Sequence, residues 1–388
     1  MKTPNNNSFK KDAFFCTALT FAVALLLYVI FLNIHILDPF EKAFKDFKFT
    51  DVFYAERFKK EERNDKIILV NIKHEDRFQL AQAINKIVSQ NPKVIGLDII
   101  LKDQKLAFTD SILRRVLLKH KNIVTAYYHG KDSLVKNNSY FNTNNAIEAY
   151  INLNLENQNT VIRDFLGVRD LKAKEYAFAT QLALKAGYID EEYISEELNY
   201  PIPINYIGNK DVFLNFDIDE ILSSENIPAI KDAIVIMGYL GDGNPQFDIE
   251  DKHFTPLNKA WVGRAVPDTF GVTIHANILN MLTKQQLIYR LPAGITYLIA
   301  FGLTFLILLL GMKLYKRNSF VFDLSEKVVQ LLLSIFLLYI ALLMLQFNIH
   351  INVVPLILLP VFGIEMIDFY EHLVMYLNKK FKWKSQLL

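Results

Sequence analysis

The chain has 388 residues, 52% of them hydrophobic, and its 43 Lys and Arg against 41 Asp and Glu leave a formal net charge of +2. So even a balance, with no basic patch, argues against nucleic acid as a partner. A single cysteine, Cys16, excludes a disulfide framework and a multi-cysteine metal site.

The first element is an apolar run over residues 13–34 with no charge inside it and Lys10 and Lys11 just before it. It is long enough to cross a bilayer, which takes about 20 apolar residues. The bulky residues 28–33 offer no small-x-small cleavage site, so the run is expected to remain as an anchor. Cys16 lies within it and reads as a small core or lipid-facing side chain. Three further spans are expected at 293–314, 328–347 and 349–369, the last two joined by a tight reversal at 346–352. Four spans put both termini on one side. Lys313, Lys316, Arg317 and Lys327 in the turn after the second span, and Lys379, Lys380, Lys382 and Lys384 in the tail, make that side cytoplasmic. Lys42, Lys45 and Lys48 pull the other way, so orientation rests on the last three spans. The intervening loop, 37–290, is then one extracytoplasmic domain of ordinary soluble composition.

That loop opens with an amphipathic segment at 38–53, with Phe40, Ala43, Phe44 and Phe47 at helical spacing. KIILVNI (66–72), a helix at 77–90 and KVIGLDII (93–100) read as strand, helix and strand of a parallel sheet. A helix at 109–119 leads to a third such strand, NIVTAYY (122–128). The Asn-rich stretch 130–159 reads as a surface excursion with at most a short strand at 149–153. Further on come a helix at 175–186, PIPINYI (201–207), a short helix at 217–223, AIVIMG (233–238) and a last helix at 271–283. The irregular segment 239–268 is long enough to suggest function. The fold class expected is an α/β extracytoplasmic domain with a mostly parallel sheet, plus four transmembrane α-helices.

Taken in order, KIILVNI, NPKVIGLDII, EYAFATQLAL, PINYIG, DIDEIL, KDAIVIMGYLGDG, DKHFTPL and GVTIHANIL resemble the type 2 CHASE domain, the extracytoplasmic sensory module of bacterial cyclases and histidine kinases. The resemblance covers about residues 40–290 and extends to one span before the domain and three after it. It implies that Thr255, Pro256 and Gly271 shape the long loop. Members of the family often continue into a kinase or cyclase, whereas this chain stops at Leu388, so no catalytic output is expected of it.

Asp98 follows an apolar strand at the edge where open α/β sheets usually bind ligands. It is a candidate ligand contact, with the capping of a following turn as the alternative. In MGYLGDGN, Gly238, Gly241 and Gly243 directly follow a strand; without a Gly-Lys-Ser/Thr ending they read as a tight turn rather than a phosphate loop, with close approach to a ligand as the alternative. Asp242, Asp248, Glu250, Asp251 and His253 form an acidic run that lacks the spacing of a calcium loop and the His and Cys of a zinc site. The ligand-binding candidates are therefore Asp98, Gly241, Asp242 and His253, with no catalytic residue, no metal and no cofactor expected. His275, beside Asn277 on the last helix, reads as structural.

In the fourth span Glu365, Asp368 and His372 share one helical face toward the cytoplasmic end, and are read as an interfacial group or a helix contact. The basic tail, with Phe381 and Trp383 among its lysines, suits a lipid surface or a docked partner. These features suggest a receptor that senses a small ligand or an envelope protein and signals through a separate membrane or cytoplasmic protein partner. The alternatives are a constitutive subunit of an envelope complex and, less favoured, an extracytoplasmic hydrolase using Asp98.

Overall fold

A computed structural model describes residues 6–32, 48–56, 63–131, 133–142, 147–153, 161–170, 173–242, 249–259 and 266–388. Phe40, Ala43, Phe44, Phe47, Lys42, Lys45, Gly243 and Asp248 lie outside the described residues. The chain divides into two compact units, one of residues 44–288 and one of residues 1–43 with 289–388.

The larger unit starts with α1 (Asp51–Ala55), β1 (Asn64–Asn71), α2 (Arg77–Ser89), β2 (Val94–Leu97), α3 (Ala107–Lys119) and β3 (Ile123–His129). Asp76 starts α2 by accepting the backbone N–H of Phe78 and Gln79, as an N-cap carboxylate does. Next come β4 (Leu134–Val135), β5 (Ile147–Tyr150), β6 (Asp164–Phe165), β7 (Val168–Asp170), β8 (Lys174–Tyr176), α4 (Phe178–Lys185), α5 (Glu191–Glu197) and β9 (Ile202–Pro203). The unit closes with β10 (Phe213–Asp217), α6 (Ile218–Ser223), β11 (Ile234–Gly238), β12 (Lys252–His253), β13 (Thr269–Phe270) and α7 (Gly271–Thr283).

The main sheet has seven strands in the order β10-β1-β11-β2-β3-β4, with β5 also paired to β3. All its pairings are parallel except β3 with β4. Alternate strand residues point to opposite faces. Ile68, Val70, Ile95, Leu97, Val235 and Met237 meet Leu80, Ile84, Ile87, Leu113 and Ile221 of α2, α3 and α6 in one core. On the other face α7 packs on β1 and β11, and α4 packs on β2, β3 and α7. Residues 271–282 of α7 are all buried, the condition of a helix enclosed on every side. Two of its polar members are paired, Asn277 Oδ1 accepting the Ile207 N–H at 2.8 Å and Asn280 Oδ1 accepting from Asn64 Nδ2 at 2.7 Å, whereas the buried Thr273 hydroxyl has no partner among the described residues.

Several elements differ from the sequence reading. The expected helix at 175–186 begins as strand β8 and turns helical only at Phe178. The expected excursion 130–159 returns to the sheet as β5, whose Tyr127–Tyr150 register makes it a full parallel neighbour of β3. PIPINYI joins β6 through β9, outside the main sheet. The edge strand β10 was missed, because FLNFD alternates too briefly to stand out from a loop.

In the smaller unit the described helices long and apolar enough to span a membrane include Phe9–Ile30, Ala293–Arg317, Ser319–Gln346 and Val353–Phe381. The third starts at Ser319, ahead of the expected 328, and the fourth runs on to Phe381, past the expected 369. The first, second and fourth share a core in which Ala13, Cys16, Leu308, Met312, Ile364, Ile367 and Val374 are buried. Leu298, Leu310, Leu331 and Leu332 face outward, as lipid-facing side chains would. At one end of the bundle β14 (Tyr289–Arg290) pairs in parallel with β15 (Ile349–His350), so the reversal between the third and fourth spans is strapped to the segment leading into the second.

Candidate functional site

The chain leaves β1 toward α2 on one face of the sheet, whereas from neighbouring β11 it leads through the long loop to α7 on the other. Such a reversal opens a crevice at the carboxyl ends of the strands. Asn71 closes the last turn of β1 there: its Nδ2 donates to Gly241 O at 2.7 Å and to Asp217 Oδ1 at 3.0 Å, while its Oδ1 accepts the Leu240 N–H at 2.9 Å. Gly241 takes φ +101°, which disfavours any residue with a Cβ. Its carbonyl is occupied by Asn71, so Gly241 shapes the turn, and Asp242 follows it, exposed, on the same loop. Lys73 Nζ bridges Asp219 at 2.8 Å and Asp217 at 3.2 Å.

Asp98 emerges from β2 beside Gly238, its N–H donating to Met237 O at 2.8 Å. Its half-buried carboxylate accepts no hydrogen bond from the described residues, so it caps no turn among them. Burial pushes its pKa up to about 8, and the nearby Asp251 carboxylate adds to the rise. Asp251 stands at the start of α7, its carbonyl accepting the Gly271 N–H at 3.0 Å. A Cβ on Gly271 would lie 3.0 Å from Asp251 Oδ2. Glycine therefore allows the carboxylate to approach the positive end of the helix. His253 Nε2 is 3.8 Å from Asp251 Oδ1, and His74 is 3.5 Å from Glu250.

The fold thus brings Asp98, Gly241, Asp242 and His253 to one edge of one sheet. Among the described residues no group of three or more His, Cys, Asp and Glu is placed to hold a metal. His275 is buried edge-on to Phe178, and burial, with His253 adding, lowers its pKa to about 3.

Sequence reasoning missed the residue that organises the loop. Asp268 accepts the Thr255 N–H at 2.9 Å, the Thr255 hydroxyl at 2.6 Å and the Thr269 hydroxyl at 2.7 Å. Thr255 is fully buried in this network. Only the hydroxyls flanking an acid hinted at it.

In the bundle, Glu365 is bonded to Lys327 of the third span and accepts from Gln330 Nε2 at 2.9 Å, a helix-to-helix contact. Asp368 and His372 are exposed. A second acid, Asp12, was not singled out from the sequence and is fully buried. Its Oδ2 accepts Ser385 Oγ and the Gln386 N–H, both at 2.9 Å. The tail is therefore tied to the first span through its last residues, while Lys379, Lys380, Lys382 and Lys384 stay exposed. It turns at Lys382, which has a left-handed φ of 57°, and folds back so that Trp383 packs under Lys11 at 4.0 Å and Leu387 is buried.

A family model described as the CHASE2 domain matches residues 19–312, from within the first span to within the second. No curated protein and no solved structure matches the chain. With most of its length matched, and a parallel α/β domain set between apolar helices, the chain belongs to the CHASE2 family of extracytoplasmic sensory domains.

Proposed function

We propose that this protein is a receptor or regulator of a bacterial cytoplasmic membrane that reads a small ligand or an envelope protein outside and signals through a separate membrane or cytoplasmic protein partner. The supporting observation is the course of the chain from sheet edge to span. Helix α7 starts at the switch-point edge beside Asp251 and ends at Thr283; the chain is then bonded into β14 and enters the second span at Ala293. The Tyr289 N–H donates to Asn348 O at 2.9 Å and the Leu291 N–H to His350 O at 3.0 Å. A shift of α7 would thus reach the second span and the reversal between the third and fourth together. In this reading the chain is not itself an enzyme and takes no cofactor.

The test is purification of the intact protein in mild detergent with and without candidate ligands. A partner whose association depends on added ligand supports a receptor. A constant stoichiometric partner, indifferent to ligand, supports a structural subunit instead.

A further inference from the structure

A crevice of about 320 Å³ opens at the carboxyl ends of β1 and β2, on the α2 face of the sheet. Its floor is apolar, made by Ile72, Leu80, Ile99, Leu101 and Ile218. Its outer wall is held in place before any ligand arrives. The Leu101 N–H donates to Asn137 Oδ1 at 2.8 Å, the Lys105 N–H to Asp110 Oδ2 at 2.7 Å, and Arg77 to Asp103 O at 2.5 Å and Asp110 Oδ1 at 2.6 Å. Arg77 and Asp110 are both buried and neutralise each other.

What remains at the rim is two carboxylates, Glu75 and Asp103, and two ammonium groups, Lys102 and Lys105. Among the described residues none of the four is in an ion pair, and Lys102 Nζ lies 3.4 Å from the Tyr128 hydroxyl and 5.3 Å from the centre of its ring. A phosphate or dicarboxylate would meet two like charges at such a rim, and a polyamine likewise. A ligand carrying one charge of each sign next to one apolar body would meet complementary groups throughout. The volume lies at the small end of the range for ligand pockets, about 300–1,000 Å³.

We propose that this crevice is the ligand site of the receptor and takes an apolar α-amino acid, with its side chain on the isoleucine and leucine floor, its ammonium on the Glu75 and Asp103 carboxylates and its carboxylate on Lys102 and Lys105. The assignment rests on the receptor reading for its purpose, while its test does not depend on a signalling partner. The full chain in mild detergent is titrated by calorimetry with L-leucine, L-isoleucine and L-phenylalanine, then with 4-methylpentanoate and 3-methylbutylamine, which each lack one charge. At least one amino acid binds saturably, each one-charge analogue binds about tenfold more weakly or worse, and the E75Q/D103N variant loses the preference for the amino acid over 4-methylpentanoate. That variant keeps the parent thermal midpoint without ligand, because both side chains are exposed. Absence of saturable binding by all three amino acids up to about 10 mM, or equal binding of the one-charge analogues, overturns the assignment. If the amino acid binds with the stated preference and partner association still ignores it, the crevice assignment stands and the receptor reading fails.

Discussion

Asp98 and His275 carry opposite electrostatic loads in the same domain. Asp98 has its pKa raised from 3.8 to about 8, so the folded state holds a proton that the unfolded chain has lost, and its contribution to stability falls as pH rises between those values. His275 is lowered from 6.5 to about 3, so its contribution is complete above pH 6.5 and falls as pH drops toward 3. From these two groups alone, the slopes cancel between pH 3.8 and 6.5, and stability declines on either side by at most about 1.4 kcal/mol per pH unit. In the Asp98→Asn variant the alkaline decline should disappear. Its thermal midpoint should therefore exceed the parent's at pH 9 and match it near pH 4, as read by circular dichroism of the purified protein. A parent midpoint unchanged from pH 6.5 to 9 would contradict the burial argument for Asp98.

Short elements depend on single buried charges. Helix α1 is held by Asp51, 1% exposed, which accepts from Arg163 Nε at 2.8 Å and Nη2 at 2.7 Å. Removing the acid takes from a buried guanidinium the carboxylate that accepts two of its N–H groups, so Asp51→Ala is expected to cost about 3–5 kcal/mol. The double variant Asp51→Ala/Arg163→Met should recover much of that loss in urea denaturation, because the buried positive charge is removed with its partner. If the double variant is as unstable as the single one, the pair is not what holds α1. The tail poses the same question inside the bundle. Asp12→Ala should free it, and a cysteine introduced by Gln386→Cys should then react with maleimide about tenfold faster or more, for a lost contact of about 1.4 kcal/mol or greater. Cys16 is buried and supplies a low background. Equal reaction rates with and without Asp12 would mean that the tail is anchored by other contacts.

For the whole molecule, topology is the property with the sharpest test. In the bundle the described basic residues other than Arg290 gather at one end: Lys316 Nζ donates to Leu387 O at 3.1 Å, Lys327 bonds Glu365, and the Lys11 side of the first span meets the tail. The β14–β15 pair marks the other end. Reporter fusions at Lys131 and at Leu388 should therefore give opposite signals, extracytoplasmic and cytoplasmic. The same signal at both positions would overturn the four-span arrangement.

The spans, their charge asymmetry and the runs KIILVNI, KVIGLDII and AIVIMG were legible in the sequence, because membrane crossing and burial on both sheet faces each demand continuous apolar residues. Helix α2 was legible for a similar reason, its apolar side repeating at helical spacing behind the Asp76 cap. Strand order was not legible: β11, late in the chain, inserts between β1 and β2, and nothing local in either sequence records the neighbour it will have. That insertion sets Gly238 beside Asp98 and so creates the switch point. The tail held by Asp12 joins residues at opposite ends of the chain, the rim sets Glu75 beside Lys102, Asp103 and Lys105, and Asp268 closes its loop on Thr255 thirteen residues earlier. Their chemistry depends on distances and burial, which only the tertiary structure decides.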